Sequence, residues 1–209
     1  MSTTKYLPLD VLGRIADAMP PESRGAFVLS MQTGVRVSDA ICATAGDFDA
    51  HGYYHYRAHK TGKAGRARVT DDFIAQYVRG LAPGEWLFRS KVKPGAHITR
   101  QTVFNHVKHA CKLLGVNPAH VAPHTARKAF AVDLFKREGL GRAMHALQHR
   151  DAATTLLYAL SDDPIPEIIR RLDKLDSSVA QLAADVESLA DRVFGDDIYL
   201  PVAGSESNK

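Results

Sequence analysis

A chain of 209 residues, 45% hydrophobic and 24% charged, is ordinary for one soluble globular domain with an appendage and excludes a disordered or collagen-like polypeptide. No apolar run approaches the ~18 residues that a transmembrane helix needs, so no membrane partner is expected. The net charge of +4 conceals two opposed parts: residues 1–160 carry 22 Lys and Arg against 12 Asp and Glu, with all ten histidines, and residues 161–209 carry 5 against 11. A basic body suits a polyanionic partner, because Lys and Arg gain affinity for phosphates by releasing condensed counterions. The first residues, MSTTKYLPLD, lack the basic patch and apolar stretch of a secretory signal, which points to the cytoplasm. Cys42 and Cys111 read as two small buried thiols.

In chain order, Leu9 to Met19 reads as an amphipathic helix ended by Pro20-Pro21, and Glu22 to Thr33 as a more apolar one stopped by Gly34. Asp47 to Arg57 and Arg66 to Thr70 are strand-like runs flanking HKTGKAG, where Gly62 and Gly65 allow a turn, so a small antiparallel hairpin is expected. Asp71 to Arg79 is a helix candidate capped by Thr70 or Asp71, followed by a loop with Pro83-Gly84 and Pro94-Gly95. Thr99 to Leu114 is helical, with Thr99 capping and Gly115 terminating. Pro123 opens a helix running to about Glu138, broken by Gly139 and Gly141, and short helices follow over Arg142 to Leu147 and Asp151 to Leu160.

Beyond Pro164 and Pro166 the apolar residues fall at alternating spacings of four and three. Leu172, Val179, Val186 and Val193 take the a positions of a heptad, and Ile168, Leu175, Leu182 and Leu189 the d positions. This arrangement favours parallel two-stranded coils. The expected organisation is a body over 1–164, a coiled-coil oligomerisation helix over 165–194 and a flexible tail over 195–209.

Three segments carry chemistry. TGVRVSDA at 33–40 puts Arg36 just past a helix-ending glycine, with Asp39 three residues on to orient its guanidinium. HTARKAF at 124–130 sets His124 and Arg127 on one helical face, within reach of one small anion. ALQHRDAATTLLYAL at 146–160 places His149 nine residues before Tyr158. The pairs His120/His124, His145/His149 and His106/His109 have spacings that could hold a cation from one helix face. No Cys or carboxylate completes a ligand set at a recognisable spacing, so neither a metal nor a cofactor is expected.

In order and spacing these segments resemble the tyrosine recombinase or phage integrase family over about residues 5–160. The resemblance implies a mainly α catalytic domain with a small antiparallel β-sheet. It makes Arg36 and Arg127 the phosphate-binding arginines, Lys60 the hairpin lysine with Lys63 as its rival, His124 and His149 the two histidines and Tyr158 the nucleophile, with Asp39 in support. Asp39 stands where Glu is usual, Gln148 where glycine is common and Lys128 where histidine is frequent. Family members usually carry an N-terminal domain. Here fewer than ten residues precede the first helix, so the expectation is a catalytic domain alone, similar to the recombinases that invert fimbrial promoter switches.

Two guanidiniums pair in fixed forks with the non-bridging oxygens of a phosphodiester, where charge gathers in the transition state. A phenol of pKa ~10 must lose its proton as it attacks, and a neighbouring histidine, His124, can take it. A lysine can protonate the departing 5′-oxygen. The implied activity is metal- and ATP-independent strand cutting and rejoining through a 3′-phosphotyrosyl intermediate, in integration, excision, inversion or resolution. Relaxation of the type IB topoisomerase kind, or a non-catalytic DNA-binding or assembly protein of the same fold, are the alternatives. The implied partners are double-stranded DNA, further copies of the chain through the C-terminal helix (a dimer in solution, a tetramer on paired sites) and accessory DNA-bending proteins. Lys63, Arg66, Arg68, Lys108, Lys112, Lys128 and Arg150 are the expected DNA contacts.

Overall fold

In the computed structural model the described residues are 7–147, 181–186 and 188–189. The chain separates into two units, residues 1–162 and 163–209.

The first unit is built around its second helix. Helix α1, Leu9–Asp17, buries Leu12, Ile15 and Ala16 on one face. Pro20-Pro21 ends that run and opens α2, Pro21–Thr33, whose first turn tolerates a proline because its N–H would be unpaired anyway. Ala26, Phe27 and Leu29 of α2 are fully buried, and they meet Val103 and Val107 of α5, Arg100–Leu113, in one core with Leu12, Ile15 and Phe88. The buried hydroxyls of α2 are satisfied, as burial requires: Ser30 Oγ donates to the Val35 carbonyl at 2.6 Å, and Ser23 Oγ lies 2.7 Å from His106 Nδ1.

The expected hairpin is present with shifted ends. Strands β1, Tyr53–Arg57, and β2, Ala64–Arg68, pair antiparallel with Tyr53 opposite Arg68 and Arg57 opposite Ala64. β1 starts six residues later than expected because Asp49 accepts from the N–H groups of His51 and Tyr53, both at 2.9 Å, and so makes a turn of that stretch. β2 ends at Arg68 because Thr70 caps the next helix, its hydroxyl accepting from Phe73 N–H at 3.3 Å. That helix, α4, keeps α geometry only over Asp71–Phe73 and continues as a π turn over Ile74–Val78. Thr99 caps α5 by accepting from Thr102 N–H at 3.1 Å. Helix α6 spans Pro123–Leu147 and is interrupted at Gly139, at φ 81° and ψ 179°. A four-residue helix that the sequence does not foretell, α3 over Val37–Ala40, follows α2. Cys111 is buried as expected, whereas Cys42 is only partly so.

In the second unit, residues 181–186 and 188–189 are helical, and Leu182, Val186 and Leu189 are 63, 62 and 55% exposed.

Candidate active site

Gly34 closes α2 in the left-handed region, at φ 70°, with its N–H bonded to the Ser30 carbonyl at 3.0 Å. Glycine is needed twice over there: any Cβ at this position would lie 2.4 Å from Phe130 Cδ1 of α6. The chain then runs extended through buried Val35 to Arg36, the N-cap of α3 at φ −68°, ψ 144°. Arg36 is half-buried, and among the described residues its guanidinium has no hydrogen-bonding or ion-pair partner.

Arg127 comes to the same place from α6. It is 4% exposed. Its Nη1 donates to the Gly34 carbonyl and its Nη2 to the Leu147 carbonyl at 2.8 Å. A buried guanidinium is tolerated only when its donors are matched, and these two bonds join the end of α2 to the last residue of α6, just before Gln148 and His149.

His124 lies one turn ahead of Arg127, at the open edge of this cluster. Its pKa is pushed down to about 4, first by partial desolvation and then by the positive charges of Arg127, Arg36, Arg100 and Lys128. The imidazole is therefore neutral at neutral pH and able to accept a proton. The Arg127 and Arg36 charges also act on the hydroxyl of Tyr56 in β1. Its pKa is raised chiefly by burial, with the two arginines pulling it down and Asp39 pushing it up. Residues 36, 56, 124 and 127, from three separate stretches of chain, thus share one electrostatic neighbourhood.

Asp39 does not orient the Arg36 guanidinium as expected. Its Oδ1 instead accepts from His59 Nδ1 at 2.9 Å and from the His59 backbone N–H at 3.3 Å, which sets the hairpin turn against α3. Sequence reasoning misses both Tyr56 and His59. The first is detectable in the alternation of Tyr54 and Tyr56, which stack with centroids 5.4 Å apart. The second has no local signal. Lys60 stands exposed in the turn, and Lys63 closes it, its carbonyl accepting from Ala58 N–H at 2.9 Å.

The expected DNA contacts divide. Arg66 lies over the Tyr53 ring at 5.1 Å, Arg68 pairs loosely with Asp71 at 3.9 Å, and Lys112 is exposed. Lys108 Nζ donates to the Pro118 carbonyl and lies over the Phe104 ring, so it secures the 3-10 turn Pro118–His120. Lys128 is 3% exposed, turned inward on α6, and is not a surface cation. His120 belongs to that 3-10 turn and not to α6, so His120 and His124 do not share a helix face. Among the described residues no group of three or more His, Cys, Asp or Glu is placed to hold a metal ion, and no helix is long and apolar enough to cross a membrane. His149, Arg150, Tyr158 and most of the heptad seam lie outside the described residues.

Comparison with known proteins bears on the family and the fold. The chain is 26% identical over 176 residues to the tyrosine recombinase XerD of Vibrio vulnificus (strain YJ016), covering 73% of this chain and 56% of that protein. It spans about half the length of such curated relatives. Among solved structures, the XerA recombinase superposes with a TM-score of 0.63 at 19% identity, over 81% of this chain and 64% of that one. The XerH site-specific recombinase bound to palindromic difH substrate superposes with a TM-score of 0.62 at 21% identity, over 85% of this chain and 53% of that one. The sequence pattern of the phage integrase family matches residues 5–164, most of the chain, and the chain belongs to the phage integrase family.

Proposed function

We propose that this chain is a site-specific DNA recombinase that cuts and rejoins double-stranded DNA through a 3′-phosphotyrosyl intermediate. The observation that carries the reading is the bond from buried Arg127 to the Gly34 carbonyl, which brings α6, with His124 one turn before Arg127, to the α2–α3 junction where Arg36 stands. That is a setting for a monoanionic phosphodiester: cations matched to its non-bridging oxygens beside a group that can take a proton.

In this reading the Tyr158 oxygen attacks the scissile phosphorus as its proton passes to His124. The bond to the 5′-oxygen breaks, and that oxygen takes a proton from Lys60. The products are a 3′-phosphotyrosyl chain and a free 5′-hydroxyl. A 5′-hydroxyl from another strand reverses the step, so the ester is conserved without ATP or metal. Cations that depress the imidazole pKa in free protein are partly neutralised by a bound phosphate, so proton uptake by His124 becomes easier once DNA is in place. His149 and Arg36 would hold the phosphate with Arg127, and Arg66, Arg68 and Lys112 would supply backbone contacts.

The body over 1–164 acts as the catalytic domain and the heptad helix over 165–194 as the oligomerisation element. The outward exposure of Leu182, Val186 and Leu189 supports a seam that a second copy covers. Linking two bodies this way raises the effective concentration of the second DNA half-site. Accessory DNA-bending proteins and a cytoplasmic location complete the reading.

The test is a supercoiled plasmid carrying two copies of the DNA that flanks the gene. Rearranged circles support recombination. Relaxation of plasmids with and without the flanking DNA alike would give a topoisomerase-like enzyme, and binding without covalent chemistry an assembly protein; both would overturn the proposal.

A further inference from the structure

Asp39 is 4% exposed and lies on α3, whose N-cap is Arg36. One of its oxygens receives both the backbone N–H and the ring Nδ1–H of His59. A carboxylate accepts and does not donate, so the proton lies on Nδ1. The His59 ring is otherwise 66% exposed, and an exposed ring acquires a fixed orientation only through such a partner. The other hydrogen bonds of the turn are internal: Thr61 and Gly62 N–H to the Ala58 carbonyl at 3.2 and 2.8 Å, and Arg57 Nη1 to the Gly62 carbonyl at 2.6 Å. These bonds shape the turn itself. The bond from His59 to Asp39 reaches across 20 residues and ties it to α3.

We propose that Asp39 and His59 form a latch that docks the hairpin turn on α3 and sets Lys60 at a fixed reach from Arg36, so that His59 is a positioning residue for the proton donor. The inference rests on the recombinase reading above. The connection has few joints: Arg36 at the cap of α3, Asp39 three residues on, the bonded His59, and Lys60 next in the chain. Lys63 lies four residues past His59 and, among the described residues, makes no bond to Asp39. It stands at the far side of the turn and lines a cavity of about 320 Å3 with Tyr56, Arg66 and Met144. The latch acts most directly on Lys60, the residue next to His59.

The test compares two nicked duplexes of the gene-flanking DNA, one ordinary and one with sulfur in place of the 5′-bridging oxygen. A thiolate leaves without protonation, so the sulfur duplex removes the need for the lysine. His59→Ala should slow formation of the SDS-resistant adduct about tenfold or more on the oxygen duplex and restore it on sulfur, as Lys60→Ala should. His59→Asn, whose amide can donate from near the Nδ1 position, should recover most of the oxygen rate. A His59→Ala variant as fast as wild type on oxygen, or equally slow on both duplexes, overturns the proposal. Without DNA, the amide of residue 59, which bonds to Asp39, should exchange faster relative to its intrinsic rate in His59→Ala than in the wild-type chain, and equal protection also overturns it. A wild-type chain that forms no adduct on either duplex overturns the recombinase reading and the assignment of His59 to catalysis, while the exchange result still decides whether the latch forms.

Discussion

Arg127 Nη2 donates to the carbonyl of Leu147 at 2.8 Å, so the residue read as a phosphate ligand also ties the start of α6 to its last residue. Its two roles are separable by measurement. Arg127→Lys offers one ammonium that cannot span the Gly34 and Leu147 carbonyls, leaving buried acceptors unmatched. Urea unfolding followed by the fluorescence of Trp86, the single tryptophan, should show a loss of about 3 kcal/mol. Lost activity with unchanged stability would confine Arg127 to the phosphate.

Gly34→Ala should be destabilising by about 2 kcal/mol or more, since the left-handed backbone penalises a Cβ and Phe130 occupies its space. That is a fall of about 5 °C in Tm for a chain of this size. Adding Phe130→Leu should recover the steric part and leave the backbone part. Full recovery would mean that the left-handed conformation costs nothing.

His124 titrates near 4 in the folded chain and near 6.5 when unfolded. The unfolded state therefore binds its proton first as pH falls. The contribution of His124 is complete above about pH 6.5 and is lost progressively towards pH 4. Wild type should lose stability over that window more steeply than His124→Gln, and the ring signals of His124 in NMR should titrate well below those of an ordinary histidine. A midpoint near 6.5 would place His124 away from the arginines.

Charge on the chain is not equivalent to charge facing DNA. Replacing exposed Arg66 or Lys112 with Gln should reduce the slope of log affinity against log salt by about 1 for each DNA phosphate left without its cation. Lys128→Gln, at a buried position, should lower stability and leave the slope alone. A reduced slope for Lys128→Gln would show that this residue turns outward on DNA.

Much of the fold is legible from punctuation. Gly34, Thr99, Pro123 and Gly139 each mark a helix end or break where the structure has one, because capping and positive φ are local requirements. Helix α3 escapes because four residues are too few to show a period. The first strand is shorter than its alternation predicts because Asp49 diverts backbone donors into a turn, a choice that hydrophobic patterning does not record. Lys128 resembles a surface cation in sequence because composition does not say which face of α6 meets the core. Arg36, His124 and Arg127 are legible as a set through the motif spacing, yet the hold of Asp39 on His59 joins residues 20 positions apart and leaves no trace in either segment alone.

In the proposed reaction Tyr158 becomes covalently joined to DNA under the direction of Arg36 and Arg127. Incubating the full chain with nicked duplex of its flanking DNA and resolving the products on a denaturing gel tests it directly. The expected product is an SDS-resistant, protease-sensitive adduct that Tyr158→Phe abolishes while retaining DNA binding. An adduct that persists in Tyr158→Phe would contradict it.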